Sequence, residues 1–398
     1  MKALLAKEEF SLDDVLRIAD RMNPELAAER KNIDLATAAV WEARLYPNPS
    51  LIVEVEDYRT RDARTIGLAK RTAGVSLPLV VSGRIGAAAD AAETEREIAS
   101  IRYVWRRREI LAGVKRAFLE LLAARRSVEL ARETRDVARR LDDATNERFR
   151  AQTVPEMEVL KSAVNLAKAE IDLKTAEKVR TVGIKTLHAL LGNADFPNEN
   201  FSGDLPVRFT TPSLEALRGQ VIAFHPLIEA AQLEKEAAER RLDLARAERI
   251  PDLQFQVAAG RDGEDETIAQ AGFEIPIPLF NRNQAKIASA EARIRQAAYE
   301  IESERNSLIL RLTGAHAEFV AAQERVMVYR DEILPKAQQA LDQTDEGYRQ
   351  GKFGYLDVLD AQRTLSEAKI AYTATLTDLN LAAAELEKLT GMRLDPVR

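Results

Sequence analysis

The chain has 398 residues, of which 31% are charged and only 6% aromatic, with 17 glycines and 14 prolines; this composition suits long solvated helices better than a compact globule. A formal net charge of -6 offers no basic face to nucleic acid or anionic lipid. The absence of cysteine excludes disulfides, thiolate metal sites, a cysteine nucleophile and a lipidated N-terminal cysteine.

In chain order, MKALLAKEEF is too short and too charged for a secretory signal, and no run approaches the ~18 apolar residues of a membrane-spanning helix. Either the protein is cytoplasmic or an export signal has been removed ahead of Met1. Ser11 is placed to cap a short helix. A second helix of about 23 residues ends before YPNPS, Tyr46 to Ser50. Two strand-like runs follow, at about 50–58 and 65–80. In the first, Leu51, Val53 and Val55 lie opposite Glu54 and Glu56, the period of two of a strand with one apolar and one wet face. The run from Thr65 to Leu79 alternates less cleanly, and its apolar side is expected to switch near Ala73 at a bulge. Between them, DYRTRDART (Asp57 to Thr65) reads as a strand-connecting loop.

Residues 84–150 then form 67 positions without proline, a helix of roughly 100 Å. Leu111, Val114, Phe118, Leu121 and Val128 recur along it as a coiled-coil-like seam. RAQTVPEME, Arg150 to Glu158, reads as a hairpin tip, and 156–191 as a returning helix of about 54 Å. Asn193 to Pro212 is rich in Pro, Asn, Gly and Asp and has no helical period, so it reads as a connector.

The remainder repeats this plan. Ser213 is the second cap, the following helix ends before RIPD, and strands are expected at about 252–260 and 267–279. In the first of these Gln254 and Gln256 alternate with apolar residues. In the second Ala269, Ala271, Phe273, Ile275 and Ile277 lie opposite Gln270 and Glu274. The long helix 283–350 contains one proline, Pro335, and 355–390 is the last helix. The tip between them, RQGKFGYLD, runs from Arg349 to Asp357.

The correspondence is one unit written twice. Ser11 and Ser213, Pro24 and Pro226, and Pro49 and Pro251 are each 202 apart. GVSLPLVVSGR from Gly74 and GFEIPIPLFNR from Gly272 are 198 apart, as are Arg132 and Arg330, while Phe149 and Tyr348, and Gly192 and Gly391, are 199 apart. The change of four between Pro49 and Gly74 is read as the single length change, in a loop. Residues 1–192 form a first structural repeat, 193–212 an equatorial connector and 213–398 a second repeat.

Helices of ~100 Å require a bundle or tube of similar length. Four strands cannot close a barrel, and open edges beside an apolar face would aggregate. Copies of the chain pooling their strands into one closed barrel, apolar outside and polar inside, solve both problems and give the β structure that spans a bilayer.

The two-fold repeat, the strand pairs between Pro49 and Arg84 and between Pro251 and Arg282, and the tip GYRQGKFGYLDVLDAQRTL resemble the TolC-type outer membrane efflux channels over about Ser11 to Gly391. FEIPIPLFNRNQAKIASAEARIRQA, Phe273 to Ala297, is most similar to the CzcC/CusC branch of heavy-metal efflux. The resemblance implies a mainly α chain with a small β part, a homotrimer with a shared twelve-stranded barrel in outer membrane lipid and a trimeric α-barrel in the periplasm. It implies two further partners: a periplasmic adaptor (membrane fusion protein) and an inner membrane RND pump. The chain departs from part of this branch in lacking a lipidated cysteine, which favours anchoring by the barrel alone, and in lacking an export signal.

In the family pattern, acidic residues at Asp357 and Asp360 line the closed periplasmic mouth. Their spacing of three puts them on one helical face, and three copies would ring a narrow opening with carboxylates that attract cations. The plainer reading is two first-turn acids favoured by the helix dipole, and the two are compatible. Glu158 and Lys161 hold the matching places in the first repeat, where Lys161 is expected to pair with an acid of a neighbouring helix as a latch.

Adaptor docking is assigned to the tips: Arg150, Thr153, Val154 and Pro155 in the first, and Arg349, Gly351, Lys352, Phe353, Gly354 and Tyr355 in the second. Gly351 and Gly354 permit positive φ, Pro155 suits a first helical turn, and Val154 and Phe353 are expected as exposed apolar residues. Ordinary turn chemistry without a partner is the alternative.

Asp262, Glu264, Asp265 and Glu266 read as a solvated hairpin loop, lacking the spacing of a calcium loop. His188, His225 and His316 are not at ligand spacing. His225, matched to Asn23, reads as a cap, and His316, matched to Phe118, as an interhelical contact. No cofactor loop, metal cluster or catalytic constellation is present in the pattern, so no enzyme is expected. The reading is a passive exit duct for heavy-metal cations. Drug efflux or type I protein secretion is the alternative cargo, and a soluble coiled-coil scaffold the alternative class.

Overall fold

The computed structural model describes residues 7–56, 69–193, 196, 199–350 and 352–397. The expected loop 57–65 and the start of the second strand, residues 65–68, lie outside the described residues. In chain order the elements are α1 (Leu12–Met22), α2 (Pro24–Ala43), β1 (Ser50–Glu56), β2 (Lys70–Leu79), α3 (Arg84–Arg150), α4 (Glu156–Leu190), α5 (Leu214–Phe224), α6 (Pro226–Ala247), β3 (Leu253–Arg261), β4 (Thr267–Glu274), α7 (Gln284–Val328), a π-turn (Tyr329–Ile333), α8 (Leu334–Arg349) and α9 (Tyr355–Thr390). None of these helices is long and apolar enough to cross a membrane.

The chain divides into two compact units. One contains residues 30–103 and 226–305, the other 1–29, 104–225 and 306–398.

In the first unit the strands form one antiparallel sheet in the order β1-β2-β3-β4. Residues pair one to one along every ladder, so β2 carries no bulge within its described length, and Ala73, Val75 and Leu77 share a face. The cross-strand rows explain that face. Leu51, Val75, Val257 and Ala271 form one row, Val53, Ala73, Ala259 and Ala269 another, and Leu77, Phe255 and Phe273 a third. Phe255 and Phe273 pack with ring centroids 4.9 Å apart and planes tilted by 38°, the kind of cross-strand aromatic pair that stabilises a sheet. The opposite face carries Glu54, Thr72, Ser76, Gln254, Gln256 and Glu274. Leu51 is 78% exposed and Phe273 67%. β4 stops at Glu274, short of the expected residue 279, because Pro276 and Pro278 have no N–H to give to a ladder. At Gly260 a Cβ would lie 1.8 Å from the carbonyl oxygen of Arg71, a backbone approach that only glycine permits. Arg84, at the start of α3, donates two hydrogen bonds to Asp252 beside β3, at 3.1 and 2.6 Å, a bidentate pair of fixed geometry.

In the second unit a core joins α1, α3 and α4 through Phe10, Val15, Ile18, Val114, Phe118, Leu121, Ile184, Leu187 and Leu191. Ser11 caps α1 in a reciprocal box with Asp14, and Ser213 accepts from Ala216 N–H at α5. The described part of the connector is anchored at two phenylalanines. Phe201 bridges Phe10 and Phe209 bridges Pro396, while Phe118 meets Phe201 edge to face at 6.4 Å. The Nε2 of His316 lies 3.0 Å from the carbonyl oxygen of Pro212, so its polar contact reaches the connector. Phe118 and His316 thus both serve the connector, one by packing and one by a polar contact.

His225 ends α5, its N–H bonding Val221 O at 3.1 Å. Its ring is 2% exposed and tilts on Trp105 at 4.7 Å. Burial, reinforced by Arg108 and Arg311, lowers its pKa to about 4. Asn23, its repeat counterpart, also bonds Leu190 O and accepts from Leu26 N–H.

The repeats differ inside their long helices. α3 is unbroken, whereas its counterpart passes through the π-turn, where Leu334 N–H bonds Tyr329 O. The change in offset from 198 to 199 between Arg132/Arg330 and Phe149/Tyr348 marks this second, one-residue length change.

Candidate functional site

The two hairpin tips carry the residues singled out from the sequence, and all lie in one compact unit. In the first tip, α3 ends with Thr153 N–H and its hydroxyl both bonding Arg148 O at 2.9 Å. Gln152 takes the left-handed conformation at φ 60, a strained position for a residue with a Cβ. Pro155 sits at the N-cap of α4, one position before the first helical turn. Arg150 and Thr153 are exposed, but Val154 is half-buried, so it is not the exposed apolar residue expected.

In the second tip, the carbonyl of Gly347 accepts from Lys352 N–H at 2.8 Å. Gly354 has φ -85, so it makes no use of positive φ. The glycine that matters is Gly347, where a Cβ would stand 2.2 Å from Cδ2 of Phe353. The Phe353 ring therefore lies across bare helix backbone and remains 47% exposed. Lys352 is exposed beside it. Gly351 and the Arg349 side chain lie outside the described residues.

Tyr355 departs from its expected docking role, being only 4% exposed. Burial, and then Asp142, Tyr348 and Glu158, push its phenol pKa up. It faces inward because α9 begins at Tyr355 itself, and helical phase puts Tyr355 and Val358 on the packed side. The same phase leaves Leu356, Asp357 and Asp360 exposed. Asp357 accepts from Gly354 N–H at 2.8 Å, which satisfies one of the orphan donors of a helix start. Asp360 follows one turn on. Glu158 is half-buried and Lys161 exposed, and Lys161 has no ion pair within the described residues of this chain.

Sequence reasoning missed the polar contacts near the tips, one between the hairpins and the others inside the first. Arg148 donates to the Tyr348 hydroxyl and lies 4.3 Å from its ring centroid. Asp142 accepts from Ser162 at 2.6 Å and from Asn146 at 3.0 Å. The residue types gave no signal for the Arg148–Tyr348 and Asp142–Ser162 contacts, which depend on how neighbouring helices are rotated, whereas Asn146 stands one turn from Asp142 on α3 itself. In the strand loop, Asp262 Oδ1 accepts from the N–H groups of Glu264 and Glu266 at 3.0 and 2.9 Å, and Arg261 pairs with Asp265 at 2.6 Å; the acidic cluster is a self-closed turn. Among the described residues no group of three His, Asp or Glu is placed to hold a metal ion.

This geometry agrees with comparison to known proteins. The family model described as "Outer membrane efflux protein" matches residues 15–193 and 217–392. The chain is 32% identical over 383 residues to the cobalt-zinc-cadmium resistance protein CzcC of Cupriavidus metallidurans, covering 96% of this chain and 90% of that one. Among solved structures, a membrane protein from Pseudomonas aeruginosa superposes with TM-score 0.80 at 20% identity over 96% of this chain and 93% of that one. A CusC structure does so with TM-score 0.76 at 17% identity over 95% and 91%. With two matched segments, one per repeat, and a relative aligned almost end to end, the chain belongs to the outer membrane efflux protein family.

Proposed function

We propose that the chain forms a homotrimeric exit duct for heavy-metal cations, coupled to a periplasmic adaptor and an inner membrane RND pump. The observation that carries this reading is the four-stranded open sheet with an exposed apolar face. Strands of 7 to 10 residues suit tilted bilayer-spanning strands of about 9–11 residues, and four cannot close. Three copies supply twelve, with the rows of Leu51 and Val53 toward lipid and those of Glu54 and Gln256 toward the lumen. A second feature supports assembly with copies of itself. Met157, Leu160, Val164, Ile171, Val179 and Val182 lie along α4, each more than half exposed, at the three-and-four spacing of a seam awaiting a neighbour. The metal cargo follows the CzcC relative. Recognition of the cargo lies upstream of a duct that holds no metal-ligating cluster among its described residues.

At the mouth, Asp357 and Asp360 from three copies form an acidic ring that favours cations, flanked by Glu158 and Lys161. Arg150, Thr153, Lys352 and the exposed ring of Phe353 form the adaptor-facing surface. The test is purification in detergent, mass measurement and planar-bilayer recording. A trimer with cation-selective conductance is the expected result. A monomer that stays dispersed in plain buffer without conducting overturns the reading.

A further inference from the structure

The π-turn has a cause legible in the repeat. Ile110 and Leu308, Val114 and Leu312, Leu121 and Phe319, Ala124 and Ala322, and Val128 and Val326 are pairs 198 apart, and all ten residues are buried. Below the turn the buried pair is Ala138 and Ala337, 199 apart. One extra residue has therefore entered the second hairpin between Val326 and Ala337. In a regular α-helix it would rotate everything downstream by about 100° and expose the seam. The i→i−5 bond from Leu334 N–H to Tyr329 O absorbs it locally, and Ala337 stays inside.

This repair leaves a weak place. Pro335 follows at once and has no N–H, so the Arg330 carbonyl, skipped by the wider register, has no helical donor. None of the five residues in the turn is buried, and among the described residues the ion pair of Arg330 is with its sequence neighbour Asp331. Below the turn the α8–α9 seam is a small separate cluster, Ala337, Leu365 and Ala368, flanked by Leu334 and Leu341. The first hairpin has an unbroken α3 at the same level. π-bulges and prolines are the usual sites of helix bending, and a segment with an incomplete ladder and no core opens at low free energy.

We infer that Tyr329–Ile333, with Pro335, is a hinge that lets the second tip move while the first stays rigid. The hinge carries Phe353, Asp357 and Asp360 with it, and its link to opening rests on the tips being the channel mouth.

The test is hydrogen exchange on the wild-type trimer in detergent. Backbone amides of 330–336 are expected to exchange at least about tenfold faster than those of 131–137 in the first repeat. Deletion of Arg330 restores the 198 offset and is expected to bring the two segments to parity and to reduce the frequency of open–closed transitions in bilayer recordings. Pro335→Ala, which returns the missing donor without changing register, is expected to slow exchange partway and covers the case in which the deletion fails to assemble. Equal exchange of the two segments in wild type overturns the hinge, as does faster exchange unaltered by Pro335→Ala. A wild-type protein that never conducts refutes the channel reading and leaves the exchange comparison standing.

Discussion

Acidification is expected to destabilise the helical unit through His225. The folded pKa is about 4 against an ordinary 6.5, so the ring is neutral in the folded state while the unfolded chain takes up a proton as pH falls. The unfolded state thus binds more protons between pH 6.5 and 4, and stability is complete above that window and lost on descending through it. Each tenfold difference in proton affinity between the two states is worth about 1.4 kcal/mol. The full loss is therefore about 3 kcal/mol, and about 2 kcal/mol of it is reached at pH 5. The physical source is a ring 2% exposed against Trp105 with Arg108 and Arg311 nearby, where burial and two like charges oppose an added proton. The perturbation is His225→Asn, the residue that the first repeat uses at this place. Placed in a Trp41→Phe background, Trp105 is the remaining tryptophan and reports the site. Denaturant midpoints are compared at pH 7.5 and 5 in both proteins. Wild type is expected to lose about 2 kcal/mol more than the variant on this step, whatever their stabilities at neutral pH. Parallel losses would refute the reasoning.

Gly347→Ala places a methyl where the Phe353 ring lies, so the ring is expected to swing out; helix stability rises by up to about 1 kcal/mol, while binding of the isolated adaptor, measured by interferometry, changes. Asp357→Asn keeps an acceptor for Gly354 N–H but removes charge, as does Asp360→Asn. The double variant is expected to assemble normally and to shift the reversal potential in a salt gradient toward loss of cation preference. Gly260→Val drives a side chain into the Arg71 carbonyl, and loss of trimer in detergent gel filtration with native-like helical circular dichroism is expected. Arg84→Ala leaves Asp252 without its bidentate partner and is expected to lower trimer heat resistance, read by electrophoresis without boiling.

The long helices and the strands were visible in the sequence because their signals are local. A proline-free run with apolar residues every three or four positions has few alternatives to helix, and Glu54 or Gln256 between apolar neighbours has few alternatives to a two-faced strand. The repeat was visible because Ser11, Pro24 and Pro49 recur as a set. Alternation also indicated which face of the sheet is apolar, although the end of β4 was placed too late where Pro276 and Pro278 deny it donors.

What the tertiary structure alone decided is rotation about the helix axis and the fate of single residues at breaks. Whether Tyr355 points to a partner or inward depends on the residue at which α9 begins, and one residue of difference turns a side chain by about 100°. Whether Gly347 serves as a flexible joint or as a bare floor for Phe353 depends on the path of the turn beyond it. The residue added between Val326 and Ala337 was already countable in the repeat offset. Only the packed structure shows it confined to a π-turn, because burial of the seam on both sides outweighs the cost of breaking the helical register between them.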